Sequence, residues 1–164
     1  MEKKITFVIP AYNAEPYLKK CLDSFWDTAI MDKIEVLIVN DGSSDQTVQI
    51  AQAYVKRNPG MYKLINKENG GHGSVINIGS KLASGKFFKV IDADDWVVTD
   101  NLAAFVECLE KCDADIVLTP FHMIHMMNGK KKEYRIKKEY GSLLLWATAV
   151  NRDERLTERH CRIF

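Results

Sequence analysis

Two short stretches constrain this chain more than anything else in it: residues 5–9 (Ile-Thr-Phe-Val-Ile) and 34–39 (Ile-Glu-Val-Leu-Ile-Val). Each is apolar and β-branched almost throughout. Each therefore reads as a strand covered on both faces, not one with a wet side. Between them Leu18, Cys21, Leu22 and Phe25 recur at helical spacing, with Asn13 placed to cap the helix and Pro16 in its first turn. A second helix follows the second strand. It carries Val48, Ile50, Ala51 and Tyr54, starts at a Ser43/Gln46 capping box and ends at Asn58-Pro59-Gly60.

The alternation continues. Tyr62–Ile65 predicts a third strand, and Val75, Ile78, Leu82 and Ala83 a third helix closed by Gly85. Phe87–Ile91 predicts a fourth strand, Asn101–Cys112 a fourth helix and Ile116–Leu118 the start of a fifth strand. Four rounds of strand and helix predict an α/β fold, a mainly parallel sheet in a three-layer sandwich. A chain of 164 residues suits a single domain of this kind. Beyond Phe121 the pattern weakens. A hairpin around Asn128-Gly129 is expected there, joining His122–Met127 to Glu133–Ile136, and a helix over Gly141–Val150.

The net charge of +1 provides no electrostatic footprint for nucleic acid. The run Lys130-Lys131-Lys132 reads as a solvated turn, or else as a basic patch for acidic glycan, phosphate or lipid headgroups. None of the four cysteines forms a Cys-x-x-Cys pair, which argues against structural zinc and for a reducing compartment. Cys108 and Cys112 share a predicted helix face as small core residues. The N-terminus lacks the pattern of a secretory signal, and the longest apolar stretch, Leu143–Val150, is too short for a bilayer. The expectation is a cytoplasmic location compatible with peripheral association at the inner membrane face.

In parallel α/β sheets ligands bind beyond the C-terminal strand ends, at the point where strand order reverses. Tyr12 and Asn13, Asp41, and the cluster Asp92-Ala93-Asp94-Asp95 all fall at such ends. Three carboxylates within four residues repel one another and call for a cation or strong donors. Oxygen-only ligands suit Mg²⁺ or Mn²⁺, completed by water and substrate phosphate. The alternative is a surface turn whose Asp caps the next helix. Asp41 is either a turn residue or an acceptor for a base or ribose. Tyr12 is either core or a stacking surface for a nucleobase. Gly70-Gly71-His72-Gly73 has the backbone freedom to approach a diphosphate, with His72 either a phosphate or sugar contact or simply solvated. Ile76 occupies the third glycine position of a dinucleotide fingerprint, so that motif is absent. His122 and His125 read as structural or solvated, and Trp96 as packing behind the acidic loop.

Four segments, in order, resemble the family 2 glycosyltransferases: Val8–Asn13, Leu37–Thr47, Asn69-Gly-Gly with Asn77–Gly79, and Gly85–Asp95. The match covers residues 4–120. The resemblance implies a GT-A fold and a nucleoside-diphosphate-sugar donor, UDP-linked in many members. It implies that Pro10, Tyr12 and Glu15 line the base and ribose pocket and that Asp41 faces the base. It also implies an Asp-x-Asp motif, with Asp92 near ribose and metal and Asp94 on the metal. Members with these motifs usually invert the anomeric carbon and glycosylate a glycan, lipid or polysaccharide acceptor.

The sequence departs from the family pattern twice. Ile76 stands where an Arg usually precedes Asn77, and the late acids Asp153, Glu154 and Glu158 do not reproduce the downstream Glu-Asp pair that holds the base. The catalytic base is therefore left unassigned, with the acceptor side incomplete. The alternative to an enzyme is a non-catalytic nucleotide-sugar-binding module.

Overall fold

The computed structural model describes residues 2–124, 131–134 and 148–151. The chain runs β1 (Ile5–Ala11), α1 (Glu15–Asp23), β2 (Ile34–Asp41), α2 (Thr47–Arg57), β3 (Tyr62–Lys67), α3 (His72–Leu82), β4 (Phe87–Val90), β5 (Trp96–Val97), α4 (Thr99–Glu110), β6 (Phe121–Ile124), β7 (Lys131–Tyr134) and β8 (Thr148–Asn151). The first four strands form one parallel sheet in the order β3-β2-β1-β4. The chain therefore walks outward from β1 to β3, then returns to the other side of β1. That reversal is the switch point.

Burial explains why the sheet is central. Ile5, Phe7, Ile9 and Ala11 on β1, with Ile34, Val36 and Ile38 on β2, join one core with α1, α2 and α4. The alternate residues Val8, Leu37 and Val39 face the other way, against Val75 of α3. Side chains alternate across a strand, so each face carries its own apolar set and the strands read as continuous apolar runs. Polar exceptions on this sheet are paired. Glu35, 1% exposed, accepts from Thr6 Oγ1 at 2.7 Å, Ser84 N at 2.9 Å and Lys63 Nζ at 2.6 Å.

Several expectations are corrected. Pro10 does not end β1, which continues to Ala11 with Pro10 in register with Val39. The fourth helix begins two residues earlier and stops at Glu110, leaving Cys112 past its end; Cys108 and Cys112 are half-buried. Residues 116–118 form no strand. Ile116 is 63% exposed, and the next strand starts after Pro120, at Phe121. The hairpin is present in the pairing of Phe121–Ile124 against Lys131–Tyr134, and the rest of its expected extent, residues 125–127 and 135–136, lies outside the described residues. His125, Lys130 and the expected Asn128-Gly129 turn lie outside the described residues. Lys131 and Lys132 belong to strand β7 and not to a turn. Thr148–Asn151 is a strand joining β5 and β6, not the end of a helix; residues 141–147 lie outside the described ones. Short apolar runs fit either period, and here pairing decided. Among the described residues no helix is long and apolar enough to cross a membrane.

Candidate nucleotide-sugar site

A cavity of about 560 Å³ opens at the C-terminal end of the parallel sheet. Its wall comes from the end of β1 and start of α1 (Pro10 to Ala14, and Tyr17), from Asp41, from Asn69, Gly71, His72 and Val75, and from Asp92 to Asp94. Four distant stretches of chain thus meet where the strand order reverses.

The β1–α1 turn is fixed by exchange with the β2–α2 turn. Helix starts leave N–H groups without intrahelical acceptors, and here each helix satisfies the other. Asp45 accepts from Glu15 N and from Thr47 N, both at 3.0 Å. Glu15 Oε2 accepts from Gln46 N at 3.1 Å, and Thr47 Oγ1 from Ala14 N at 2.8 Å. Asn13, at φ +48°, accepts from Ser44 N at 2.9 Å and donates its own N–H to Ser43 Oγ at 3.0 Å. Asn is among the few residues that tolerate this left-handed backbone. Neither Asn13 nor the Ser43/Gln46 pair caps its own helix as expected, because the partner lies on the neighbouring turn. Tyr12, 56% exposed, is left standing over the cavity and not in the core. Glu15 is turned toward α2, outside the cavity wall.

Asp41 ends β2 almost fully buried. Its Oδ1 accepts from Gly70 N at 2.9 Å and its Oδ2 from Gly71 N at 2.9 Å, while Lys67 Nζ is ion-paired to Oδ1. The Lys67 ammonium holds the carboxyl below the usual carboxylate range, against the opposing pull of burial. A carboxylate oxygen takes about two donors, so Oδ2 keeps room for one more. Gly71, at φ +80°, makes the turn that delivers its amide and starts α3 at His72.

The acidic loop is set by alternation. Ile91 and Ala93 bury into the core, which throws Asp92 and Asp94 outward into the crevice. Asp95 N closes the turn on Asp92 O at 2.9 Å, with the Asp95 side chain buried. Behind the loop Trp96 lies under Lys20 Nζ, 3.1 Å from the ring centroid. Beneath the loop Cys21 donates to Asp92 O at 3.9 Å. Burial pushes this thiol's pKa well up, and the nearby Asp95, Asp94 and Asp92 carboxylates add to that, so it remains a thiol. On the open side His72 Nε2 donates to Asp92 Oδ1 at 3.0 Å. Sequence reading did not foresee this contact, because the two residues lie twenty apart on different elements.

Asp92, Asp94 and Asp95 each offer one oxygen, all within 4.8 Å of one another. An octahedral Mg²⁺ or Mn²⁺ sphere sets neighbouring oxygens about 3 Å apart and opposite ones about 4.2 Å. The 4.8 Å limit on this set lies close to the span of such a sphere. Asp92 and Asp94 are exposed, which leaves the remaining positions to water and phosphate. The donor set therefore fits a hard divalent cation.

The chain matches the family model Glycosyl transferase family 2 over residues 6–161, and it belongs to that family. It is 42% identical over 136 residues to the putative glycosyltransferase EpsH of Bacillus subtilis (strain 168), covering 83% of this chain and 39% of the relative. It is 32% identical to glycosyltransferase GlyA of Streptococcus pneumoniae serotype 4, covering 79% of this chain and 18% of the relative. Among solved structures, S. aureus TarS 1-349 in complex with UDP-GlcNAc aligns with a TM-score of 0.64 at 31% identity, over 77% of this chain and 36% of that one. The fold is thus of the GT-A type, and the chain spans two-fifths or less of the length of these relatives.

Proposed function

We propose that this chain forms the donor site of a glycosyltransferase that uses a nucleoside-diphosphate sugar, UDP-linked by preference, with Mg²⁺ or Mn²⁺. One observation carries the reading: Tyr12, Asp41, Asp92 and Asp94 wall a single cavity at the switch point of the sheet. The UDP-GlcNAc bound by TarS supports the choice of nucleotide. Pro10 and Tyr12 form the base and ribose wall, with the Tyr12 ring as a stacking face. Asp41 shapes the glycine turn beneath the base and offers Oδ2 to one donor from it. Glu15 supports that wall from behind, through its bond to Gln46 N.

Asp94 and Asp92 hold the cation, with Asp95 closing the loop. A divalent cation there supplies charge to offset that building on the diphosphate leaving group. The reaction is transfer to a glycan or lipid-linked acceptor with inversion, at the cytoplasmic face of a membrane. The carboxylates on the cavity wall among the described residues are Asp41, Asp92 and Asp94. Asp41 is committed to its loop and the other two to the cation. The base that takes the acceptor proton therefore comes from outside this set. The same commitment favours a second reading, a module that binds donor without turnover.

Calorimetric titration of UDP and UDP-GlcNAc with Mn²⁺, then with EDTA, tests the donor site. Binding that needs the metal, and is lost in Asp94→Asn at unchanged Tm, is the expected result. Equal binding with and without metal, or none to any nucleotide, would sink the reading. UDP release from UDP-GlcNAc then separates enzyme from binding module.

A further inference from the structure

The two halves of the cavity are joined by a short chain of hydrogen bonds. Asp41, at the end of β2, holds the amides of Gly70 and Gly71. The next residue, His72, opens α3 and reaches Asp92 Oδ1 at the end of β4. The nucleotide side and the acidic side thus meet through three consecutive residues, and their backbone is fixed at both ends.

We propose that His72 is a positioning residue for the cation site: it holds one oxygen of Asp92 so that the other is presented to the metal alongside Asp94. The inference rests on the donor-site reading above. Carboxylates that ligate metals are themselves usually held by hydrogen bonds, and losing such a partner weakens metal binding. Three physical facts select His72 for this task. A carboxylate accepts, so Nε2 carries the proton and donates. The 3.0 Å contact uses Oδ1 alone and leaves Oδ2 available. An exposed aspartate otherwise samples several rotamers, and one fixed oxygen removes that freedom before metal arrives. His72 also rides on the turn that Asp41 anchors. A nucleotide that orders that turn orders Asp92 with it, and this couples donor and cation binding in both directions.

The test is Mn²⁺ binding, followed by loss of the free-ion EPR signal, with and without saturating UDP, in wild type, His72→Ala and His72→Gln. Tm and far-UV circular dichroism are measured on the same proteins. The glutamine amide places a donor close to where Nε2 stands. His72→Ala is expected to weaken Mn²⁺ binding about tenfold, the lower end for such partners, while Tm and the circular dichroism spectrum stay unchanged. His72→Gln is expected to recover most of the loss. Wild-type Mn²⁺ affinity in His72→Ala, or equal losses in both variants, would overturn the role of His72 and leave the donor site standing. A wild-type protein that takes up no Mn²⁺ would overturn both.

Discussion

Asp41 and Lys67 are register partners on the last rung shared by β2 and β3, and their side chains are ion-paired at the floor of the cavity. The ammonium keeps the Asp41 carboxyl below its ordinary range. A carboxyl with a depressed folded pKa stabilises the fold fully above its unfolded pKa of about 3.9. That contribution fades as pH falls through the folded value. Lys67→Met is therefore expected to lower Tm at pH 6–7, by an amount equivalent to about 1–3 kcal/mol for a charged hydrogen bond. The gap should close below about pH 4. Thermal melts from pH 2.5 to 7 check this; a gap that stays constant would show that the pair's charge is not the cause.

Lys89 sits on β4 with its amine donating to Thr119 Oγ1 at 2.7 Å, and burial pushes its pKa down to about 8. Here the unfolded chain binds the proton more tightly than the folded one, so stability rises with pH between about 8 and 10.5. Lys89→Met is expected to be more stable than wild type at pH 7, by up to about 3 kcal/mol. The advantage should shrink toward pH 10. Chemical denaturation at pH 7, 8.5 and 10 reads the trend, and an advantage that grows with pH would contradict it.

Tyr12 stands 56% exposed over the cavity. Its truncation removes little packing, so Tyr12→Ala should leave Tm nearly unchanged. If the ring stacks on the base, UDP affinity falls by about 1–3 kcal/mol. Phe in its place should retain most of the affinity. Calorimetry on the three proteins decides the matter, and an alanine variant that binds UDP normally removes Tyr12 from the site.

Gly79 lets α3 close on β1. A Cβ at this position would lie 2.6 Å from Val8 Cγ1 and 2.7 Å from Cγ2. Alanine gains about 1 kcal/mol in helix propensity, yet overpacking costs about 1–3 kcal/mol. Gly79→Ala is expected to lower Tm, and adding Val8→Ala should return part of the loss. A single variant with raised Tm would mean the layer yields more easily than these distances suggest.

The parallel sheet and its helices were legible because burial on both faces writes itself into composition: Ile5–Ile9 and Ile34–Val39 have no face to spend on water. The meeting of Tyr12, Asp41, Asp92 and Asp94 was legible from topology, since strand ends in such a sheet converge. What was hidden depended on partners far apart in sequence. Asn13 and Ser43 look like caps of their own helices, yet bond to the neighbouring turn. Asp41 looks open to ligand, yet most of its acceptor capacity goes to Lys67, Gly70 and Gly71. The contact between His72 and Asp92 has no local signature at all. Past Pro120 the apolar runs are short enough to fit either period, and there the helix expectation failed.

Pro10 lies in an inner strand of a four-stranded parallel sheet, a position where a missing N–H ordinarily breaks a rung. Val8 O accepts from Ile91 N at 3.0 Å, so Val8 faces β4; Pro10, two residues on, faces the same way. The next bond in that lane would need the hydrogen that proline does not have. The sheet thus unzips between β1 and β4 one step before the acidic loop begins, while Ala11 stays in register with Asn40 of β2. The parting of β1 from β4 is written into the covalent chemistry of one ring and is there before any ligand arrives.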